Sequence, residues 1–165
     1  MFVQYCLRGV NMAKLKKGDK APNFSGETVK GRISLNDFKG KNVVLYFYPK
    51  DNTPGCTIEA IDFTKEKSKF SKLNTVILGV SKDDLKSHEK FCIKQKLAID
   101  LISDEDLKIH KAYGVWGRKK FMGREFMGAI RSTFLIDSKG KLASIWNNVS
   151  VKGHVDEVLE AVKKL

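Results

Sequence analysis

Cysteine is scarce in this chain, and its scarcity limits the kinds of site that the chain can build. The 165 residues contain three cysteines, Cys6, Cys56 and Cys92. No two of them form a C-x-x-C pair, and three are too few for a cysteine-ligated zinc site. The first residues do not resemble a secretory signal, so we expect a reducing, cytoplasmic setting without a structural disulfide framework. Each cysteine is therefore either an inert core residue or a reactive thiol.

Long apolar runs, repeats, low-complexity tracts and Pro- or Ser-rich linkers are also missing. No run approaches the roughly 20 apolar residues of a membrane-spanning helix, so we expect no membrane insertion. The length and the 42% hydrophobic content predict one globular domain. We assign residues 16–165 to that domain. Residues 1–15 are interpreted as an N-terminal extension without fixed structure, within which Met12 is an alternative start.

Acidic residues are outnumbered, with 19 Asp and Glu against 31 Lys and Arg and a formal net charge of +12. Such a balance suits proteins that contact phosphate groups. The lysines are spread along the chain, however, and no basic arm, zinc finger or aromatic-basic nucleic-acid signature is present. We therefore expect a solvated basic surface, no nucleic-acid partner and at most weak steering of anions.

Strand patterns of the buried type alternate with amphipathic helices. The apolar run NVVLYFYP at 42–49 is typical of a central strand buried on both faces. A helix is predicted from Pro54 to Lys72, with Thr53 as N-cap and proline at the first helical position. The other predicted elements are a hairpin at 23–35, strands at 75–81 and 99–103, helices at about 84–96, up to 113 and from about 153, loop and strand at 114–130, and a hairpin at 131–148. This order predicts an α/β sandwich with a mixed sheet.

Cys56 stands at the start of the predicted helix, in the stretch YPKDNTPGCTIE. The thiolate is the nucleophilic form of cysteine, and an ordinary thiol is mostly protonated at neutral pH. The unsatisfied N–H groups and the dipole of a helix N-terminus favour the anion. Pro54 fixes the start of the helix, Gly55 leaves room for a small molecule near the sulfur, and Thr53 supplies a hydroxyl. This context favours a reactive Cys56 over an inert core thiol.

The same stretch resembles the peroxiredoxin signature, in which Pro-x-x-x-Thr-x-x-Cys surrounds a peroxide-attacking cysteine. Pro49, Thr53 and Cys56 occupy these places. KKGDKAPNF and GREFMGAIRSTFLIDSKGKL resemble two further stretches of the family, and the wording Thr-Pro-Gly-Cys-Thr is similar to the peroxiredoxin Q subfamily, also called bacterioferritin comigratory protein. The resemblance implies a thioredoxin-like fold and reduction of hydrogen peroxide and organic hydroperoxides. It also implies a monomer without cofactor or metal.

The resemblance assigns a role to each motif residue. Cys56 attacks one peroxide oxygen, and Arg131 holds the thiolate ionised and stabilises charge on the peroxide. Thr53 and the Cys56 backbone N–H orient the peroxide. Pro49 shields the pocket from water.

Two of these assignments leave alternatives open. Glu59 follows Cys56 by one helical turn, so it either positions the arginine or is an ordinary solvated helix glutamate. Arg124 is a second candidate for the arginine role, but the RSTFLID context favours Arg131.

The sequence indicates less directly which cysteine is the resolving one, the cysteine that forms a disulfide with the oxidised Cys56. The commonest subfamily arrangement places it five residues further on, where this chain has Ile61. Other members carry it on the following helix, and Cys92 matches that arrangement. A core thiol at Cys92 is the alternative, and it would leave a one-cysteine enzyme regenerated by an external thiol. Cys6 lies outside the resemblance and receives no role.

Two classes of function follow. The first is a cofactor-free thiol peroxidase that receives electrons from thioredoxin or a related dithiol protein. The second is a thioredoxin-fold interaction protein whose basic surface binds an acidic partner and whose Cys56 senses redox state. The three histidines are isolated from one another in sequence, so we expect surface or capping roles rather than a metal site or catalytic base for His88, His110 and His154.

Overall fold

The structure, a computed structural model, describes residues 14–165. Cys6, Met12 and almost all of the predicted extension 1–15 lie outside the described residues. The strands are β1 (Ser25–Thr28), β2 (Gly31–Ser34), β3 (Asn42–Phe47), β4 (Thr75–Ser81), β5 (Asp100–Ser103), β6 (Trp116–Phe121), β7 (Arg124–Ala129), β8 (Ser132–Ile136) and β9 (Leu142–Trp146). The helices are α1 (Pro54–Lys72), α2 (Leu85–Gln95), α3 (Lys108–Ala112) and α4 (His154–Lys163), with a 3₁₀ helix at Leu35–Phe38.

Seven strands form one mixed sheet in the order β2-β1-β5-β4-β3-β8-β9. β3, β4 and β5 run parallel, whereas the β1–β2 and β8–β9 hairpins are antiparallel, as is the contact between β3 and β8. Parallel neighbours need crossover connections, which α1 and α2 supply. The prediction of an α/β fold with a mixed sheet is confirmed.

β3 divides the interior into two cores, as its continuous apolar run predicted. Val44, Tyr46 and Tyr48 face the core covered by α1, α2 and α4. Leu45 and Phe47 face the second core, beside α3 and the loops that flank it. Alternate side chains of a strand point to opposite faces, so a strand between two cores is apolar at every position. The chain continues from the end of β3 into the loop that precedes Cys56.

α1 begins and ends where the sequence predicted. Its N-cap residue, Thr53, has an extended backbone (φ −83°, ψ 154°), and Pro54 occupies the first helical position. Lys67 is exposed and donates from its ammonium to the Ala98 carbonyl oxygen at 2.6 Å. The buried residues of α1 are Cys56, Glu59, Ala60, Phe63 and Phe70. A carboxyl group in this stripe needs a partner inside the protein.

The segment 114–130, predicted as loop and strand, instead forms a hairpin. Within residues 14–165, β6 and β7 pair with each other alone and form a separate two-stranded sheet. Met122 (φ 51°) and Gly123 (φ 78°) occupy the turn in the left-handed region that tight hairpin turns require. None of the helices in residues 14–165 is long and apolar enough to cross a membrane.

The surface or capping roles predicted for the three histidines are wrong. All three rings are buried, with 0%, 0% and 2% exposure for His88, His110 and His154. Their ring nitrogens lie within hydrogen-bond distance of Asp51, Asp104 and Thr133, in that order. A buried polar ring needs such a partner, and these partners come from other segments of the chain, where sequence spacing does not reveal them.

Candidate active site

Cys56 lies in the first turn of α1 and is a free thiol with 1% exposure. The first intrahelical bond runs from the Thr57 N–H to the Thr53 carbonyl oxygen at 2.9 Å. The N–H groups of Gly55 and Cys56 precede that bond, and the side chain of Thr53 does not cap the helix. Helix N-termini of this kind bind anions and polar ligands through the N–H groups that the helix leaves without an acceptor.

Arg131 reaches the sulfur from the chain segment just before β8. Its Nη2 donates to Cys56 Sγ at 3.3 Å, and its Nη1 donates to Glu59 Oε1 at 2.7 Å. One guanidinium therefore binds two groups that stand one helical turn apart on α1. The structure brings together Cys56, Glu59 and Arg131, the three ionisable residues that the sequence motifs indicated. Arg131 lies far from the other two along the chain.

The guanidinium remains a cation in this partly enclosed position. Burial acts to lower the pKa of Arg131, but the charges of Cys56 and Glu59 outweigh it and raise that pKa. Arg124, the other candidate arginine, lies on the exposed hairpin strand β7 opposite Phe121. The geometry therefore places Arg131, and not Arg124, beside the sulfur.

Gly55 makes room for this guanidinium. A Cβ atom at residue 55 would lie 3.2 Å from Arg131 Nη2 and 3.9 Å from Val151 Cγ2. The sequence predicted that Gly55 leaves space for a small molecule, whereas in the structure the neighbouring space belongs to Arg131 itself. The Val149 N–H donates to the Arg131 carbonyl oxygen at 2.9 Å, so the loop after β9 also holds the arginine backbone in place.

Thr53 and Pro49 lie in the loop between β3 and α1, and both are half-buried. The Thr53 hydroxyl donates to the Lys50 carbonyl oxygen at 2.8 Å, whereas the sequence led us to expect donation toward the sulfur or a bound oxygen. A hydroxyl has one proton and two lone pairs. With its proton engaged at Lys50, Thr53 Oγ1 can accept a hydrogen bond from a ligand but cannot donate one.

Glu59 is completely buried rather than solvated. Its Oε1 accepts from Arg131, while its Oε2 has no hydrogen-bond partner among the described residues. Burial raises the pKa of Glu59 to about 7, even though the nearby Arg131 acts to lower it. The Glu59–Arg131 ion pair is therefore present above that pH and loses its negative partner below it.

This titration gives a testable pH dependence. We expect kcat/KM for peroxide to contain a component that falls as pH drops through about 7, because neutral Glu59 holds Arg131 less firmly. In Glu59→Gln this component should disappear, leaving activity at pH 8 about tenfold lower, the difference between a charge-assisted and a neutral hydrogen bond. Glu66→Gln, a matched change later in α1, should keep the wild-type profile. A profile that is unchanged in Glu59→Gln would contradict this role.

The same group affects stability in a predictable direction. A carboxyl whose pKa is raised on folding binds its proton more tightly in the folded state, so its favourable contribution is complete below the ordinary value of 4.5. That contribution is lost as pH rises through about 7. The free energy of unfolding of wild type, relative to Glu59→Gln, should therefore decrease between these two pH values.

Lys119 is a residue near the site that the sequence did not suggest. It lies on β6, and its ammonium donates to the Ala129 carbonyl oxygen at 2.8 Å. Burial and the positive charge of Arg131 lower the pKa of Lys119, while Cys56 acts to raise it. No motif marked this lysine, because its position depends on the folding of the β6–β7 hairpin.

Cys92 lies on α2 and is a half-buried free thiol. It packs against the same core that contains Cys56 and Tyr46. Burial, followed by the charges of Asp51 and Asp100, raises the pKa of the Cys92 thiol. Cys92 is therefore held as a neutral thiol near, but outside, the Cys56–Arg131–Glu59 site.

Comparison with known proteins supplies the family. The sequence profile of the AhpC/TSA family matches residues 17–145. The chain belongs to the AhpC/TSA family. It is 48% identical to Peroxiredoxin Bcp of Bacillus subtilis (strain 168) in an alignment of 153 residues that covers 90% of this chain and 95% of that protein. It is 47% identical to the putative peroxiredoxin bcp of Helicobacter pylori (strain J99) over 152 residues, 92% of this chain and 100% of that protein.

Solved structures of peroxiredoxin Q proteins have the same fold. A structure of Xanthomonas campestris peroxiredoxin Q matches with a TM-score of 0.81 at 42% identity, covering 86% of this chain and 90% of that one. A cysteine-to-serine variant of PrxQ from Xylella fastidiosa matches with a TM-score of 0.86 at 36% identity, covering 92% and 97%. The predictions of a thioredoxin-like fold and of a peroxiredoxin of the Q/Bcp type are confirmed. The chain is a thiol peroxidase.

Proposed function

We propose that Cys56 is the peroxidatic residue of this thiol peroxidase. Its thiolate attacks one oxygen of a hydroperoxide, so that an S–O bond forms and the O–O bond breaks. The sulfur is oxidised to a sulfenic acid, and the peroxide is reduced to an alkoxide or hydroxide that takes up a proton and leaves as alcohol or water. The single observation that carries this assignment is the 3.3 Å contact between Arg131 Nη2 and Cys56 Sγ.

Arg131 supports both partners in this step. A guanidinium beside the sulfur favours the thiolate over the thiol. The same cation lies next to the oxygens that carry negative charge as the O–O bond breaks, where preorganised donors lower the barrier. Glu59, bonded to Nη1 at 2.7 Å, fixes the orientation of the guanidinium without touching the sulfur.

The remaining motif residues receive binding roles. The hydroperoxide O–H donates to Thr53 Oγ1, whose own proton is already engaged at the Lys50 carbonyl. The Cys56 N–H, at the open end of α1, donates to a peroxide oxygen. Pro49, half-buried in the loop before α1, limits the access of water. Peroxide is therefore bound by one acceptor and several donors, which matches its own hydrogen-bonding capacity.

We propose that Cys92 resolves the sulfenic acid. Its thiol attacks Cys56 Sγ, an S–S bond forms, and the S–O bond breaks with release of water. Both cysteines border one core, with Cys56 on α1 and Cys92 on α2. Two solved structures of Xanthomonas campestris peroxiredoxin Q carry cysteine-to-serine substitutions at positions whose separation along that chain equals the separation of these two cysteines.

Resolution requires motion of the peroxidatic cysteine. A disulfide needs Cα atoms within about 7 Å, whereas Cys56 sits in an ordered helical turn packed beside Arg131. We propose that the first turn of α1 unwinds after oxidation and carries Cys56 toward Cys92. Gly55 and Thr53 in this turn are only half-buried and Pro54 is exposed, so the turn opens at low cost in packing.

The substrate class and the partners extend this proposal. Hydrogen peroxide and organic hydroperoxides are the substrates, in keeping with the alkyl peroxide reduction described for the Xanthomonas campestris bacterioferritin comigratory protein. Thioredoxin or a related dithiol protein reduces the disulfide in a reducing compartment, the cytoplasm. We further propose that the protein acts as a monomer built on a domain at 16–165 and uses no cofactor.

Peroxide consumption in the presence of a dithiol reductant tests the peroxidatic assignment. We expect Cys56→Ser to abolish consumption, because an alcohol is a far weaker nucleophile than a thiolate. Cys6→Ser is the matched control and should consume peroxide at the wild-type rate. If Cys56→Ser consumed peroxide at the wild-type rate, the chemistry would belong to another residue.

A further inference from the structure

A buried carboxylate links the loop before Cys56 to the helix that carries Cys92. Asp51, 4% exposed, follows β3 and precedes α1. Its Oδ2 lies 2.7 Å from His88 Nδ1 and accepts from Ser87 Oγ at 2.8 Å, and both of these residues belong to α2. Tyr48 Oη donates to Oδ1 at 2.7 Å. The carboxylate thus has partners on both of its oxygens inside the protein.

His88 is held as a cation by its surroundings. Nδ1 faces the Asp51 carboxylate, and Nε2 lies 3.1 Å from the Ile102 carbonyl oxygen of β5. Both neighbours can only accept hydrogen bonds, which favours the imidazolium form of the ring, in which both nitrogens donate. Burial acts to lower the pKa of His88, but the hydrogen bond and charge of Asp51 outweigh it and raise that pKa.

The same atoms do not suit a metal ion. Asp51, Asp83 and His88 place one potential ligand atom each within 4.8 Å of one another. A histidine ligand needs an unprotonated ring nitrogen, whereas both nitrogens of His88 face hydrogen-bond acceptors, which favour the protonated ring. Asp83 Oδ2 is itself occupied, since it accepts from the Asp51 N–H at 2.8 Å and from Ser81 Oγ at 2.7 Å. The cluster is an internal ion pair and not a cation site.

The position of this pair relative to the two cysteines gives it a role. Asp51 precedes Cys56 by five residues, a stretch that spans at most about 17 Å when extended. His88 precedes Cys92 by four residues on α2, an axial rise of about 6 Å. Both cysteines are therefore tied by short segments to a single fixed contact. A Cys56 released from the first turn of α1 stays within reach of Cys92 as long as that contact holds.

We propose that the Asp51–His88 contact is a clamp that guides resolution. It keeps the chain before α1 attached to α2 while the first turn unwinds, so the sulfenic acid of Cys56 meets the Cys92 thiol at a high effective concentration. Asp51 and His88 are positioning residues, since neither touches the sulfur or the peroxide. The proposal rests on the proposed function of Cys92 as the resolving cysteine.

The chain offers a matched control for this clamp. Asp104 Oδ2 lies 2.6 Å from His110 Nδ1, and these residues are 3% and 0% exposed. This second buried Asp–His pair has the same contact between Nδ1 and a carboxylate, although His110 Nε2 has no hydrogen-bond partner among the described residues. It joins the end of β5 to α3, neither of which carries a cysteine. Asp104→Ala therefore reproduces the loss of a buried Asp–His contact without releasing Cys56 or Cys92.

The test uses the full chain at a fixed peroxide concentration. Mass spectrometry measures how much of the Cys56 sulfenic acid becomes disulfide and how much is oxidised to sulfinic acid. Asp51→Ala should lower the ratio of disulfide to sulfinic acid by about tenfold, because effective concentration within a protein depends on such links. The Cys56–Cys92 reduction potential should rise by about 30 mV, the equivalent of a tenfold lower equilibrium constant. Asp51→Asn, which keeps a neutral hydrogen bond, should give intermediate values, and Asp104→Ala should give wild-type values.

Each other outcome overturns the clamp. Folded Asp51→Ala with the wild-type ratio of disulfide to sulfinic acid and the wild-type potential would contradict the clamp. An equal fall of that ratio in Asp104→Ala would also contradict it. A higher ratio in Asp51→Ala would show instead that the contact slows the unwinding. If Asp51→Ala does not fold, Asp51→Asn carries the same comparison. Absence of any Cys56–Cys92 disulfide in wild type would overturn the resolving role of Cys92 together with the clamp, whereas failure of the clamp alone leaves the wild-type disulfide intact.

Discussion

Replacing Arg131 with alanine is expected to lower kcat/KM for hydrogen peroxide by about 10²- to 10³-fold, the loss that follows removal of one preorganised donor from a developing anion. The guanidinium touches Cys56 Sγ at 3.3 Å and is held at 2.7 Å by Glu59. Its removal takes away the cation that stabilises both the thiolate and the departing oxygen. It also leaves the buried Glu59 carboxylate without its partner, so Glu59 is expected to become protonated.

The effect should be measured in single-turnover experiments that follow sulfenic acid formation directly, so that the reductant does not limit the rate. Arg131→Lys is expected to recover only part of the loss, because an ammonium cannot bridge the sulfur and Glu59 as the planar guanidinium does. Arg124→Ala removes an exposed arginine of the β6–β7 hairpin and should retain wild-type activity. Wild-type rates in Arg131→Ala would show that the contact with Cys56 has no part in the chemistry.

The Cys92→Ser variant should complete one turnover and then stop. The first step uses only the Cys56 site, so sulfenic acid forms normally. Without an internal thiol, thioredoxin-dependent cycling should fall by about 10²-fold or more, because an intramolecular thiol acts at a much higher effective concentration than an external one. The accumulated sulfenic acid should then be oxidised to sulfinic acid at high peroxide.

Steady-state assays with a dithiol protein and mass spectrometry of Cys56 together measure this outcome. Cys6→Ser, which removes the cysteine outside the described residues, is the control and should cycle as wild type does. Sustained thioredoxin-dependent turnover by Cys92→Ser would replace internal resolution with a one-cysteine scheme. In that case an external thiol would attack Cys56 directly.

Local sequence patterns predicted most of the fold because the relevant forces are local or periodic. The apolar run of β3 and the Thr53-Pro54 start of α1 fixed two elements correctly, since burial on both faces and helix capping are visible in adjacent residues. The hairpin of β6 and β7 was missed. In the part of the chain that the structure describes, its two strands pair with each other alone, and the exposed Phe121 and Met122 give no sign of which face is buried.

Some residues of the candidate site were likewise predictable from the local sequence, whereas others were not. Cys56 was apparent from its helix terminus and Arg131 from its resemblance to a family motif. The burial of Glu59, the proximity of Lys119 and the Asp51–His88 contact depend on tertiary packing between segments far apart in sequence. Sequence spacing left Glu59 undecided and placed His88 on the surface for this reason. Buried polar networks show themselves only when their partners are brought together.

Peptide mapping of the wild-type chain after one equivalent of hydrogen peroxide tests the account most directly. The account predicts an intramolecular Cys56–Cys92 disulfide as the main product, accompanied by loss of hydrogen-exchange protection at residues 57–60, whose N–H groups bond back to the first turn of α1. A disulfide that joins Cys56 to Cys6 or to a second chain, or a sulfenic acid at Cys56 with Cys92 still reduced, would contradict it.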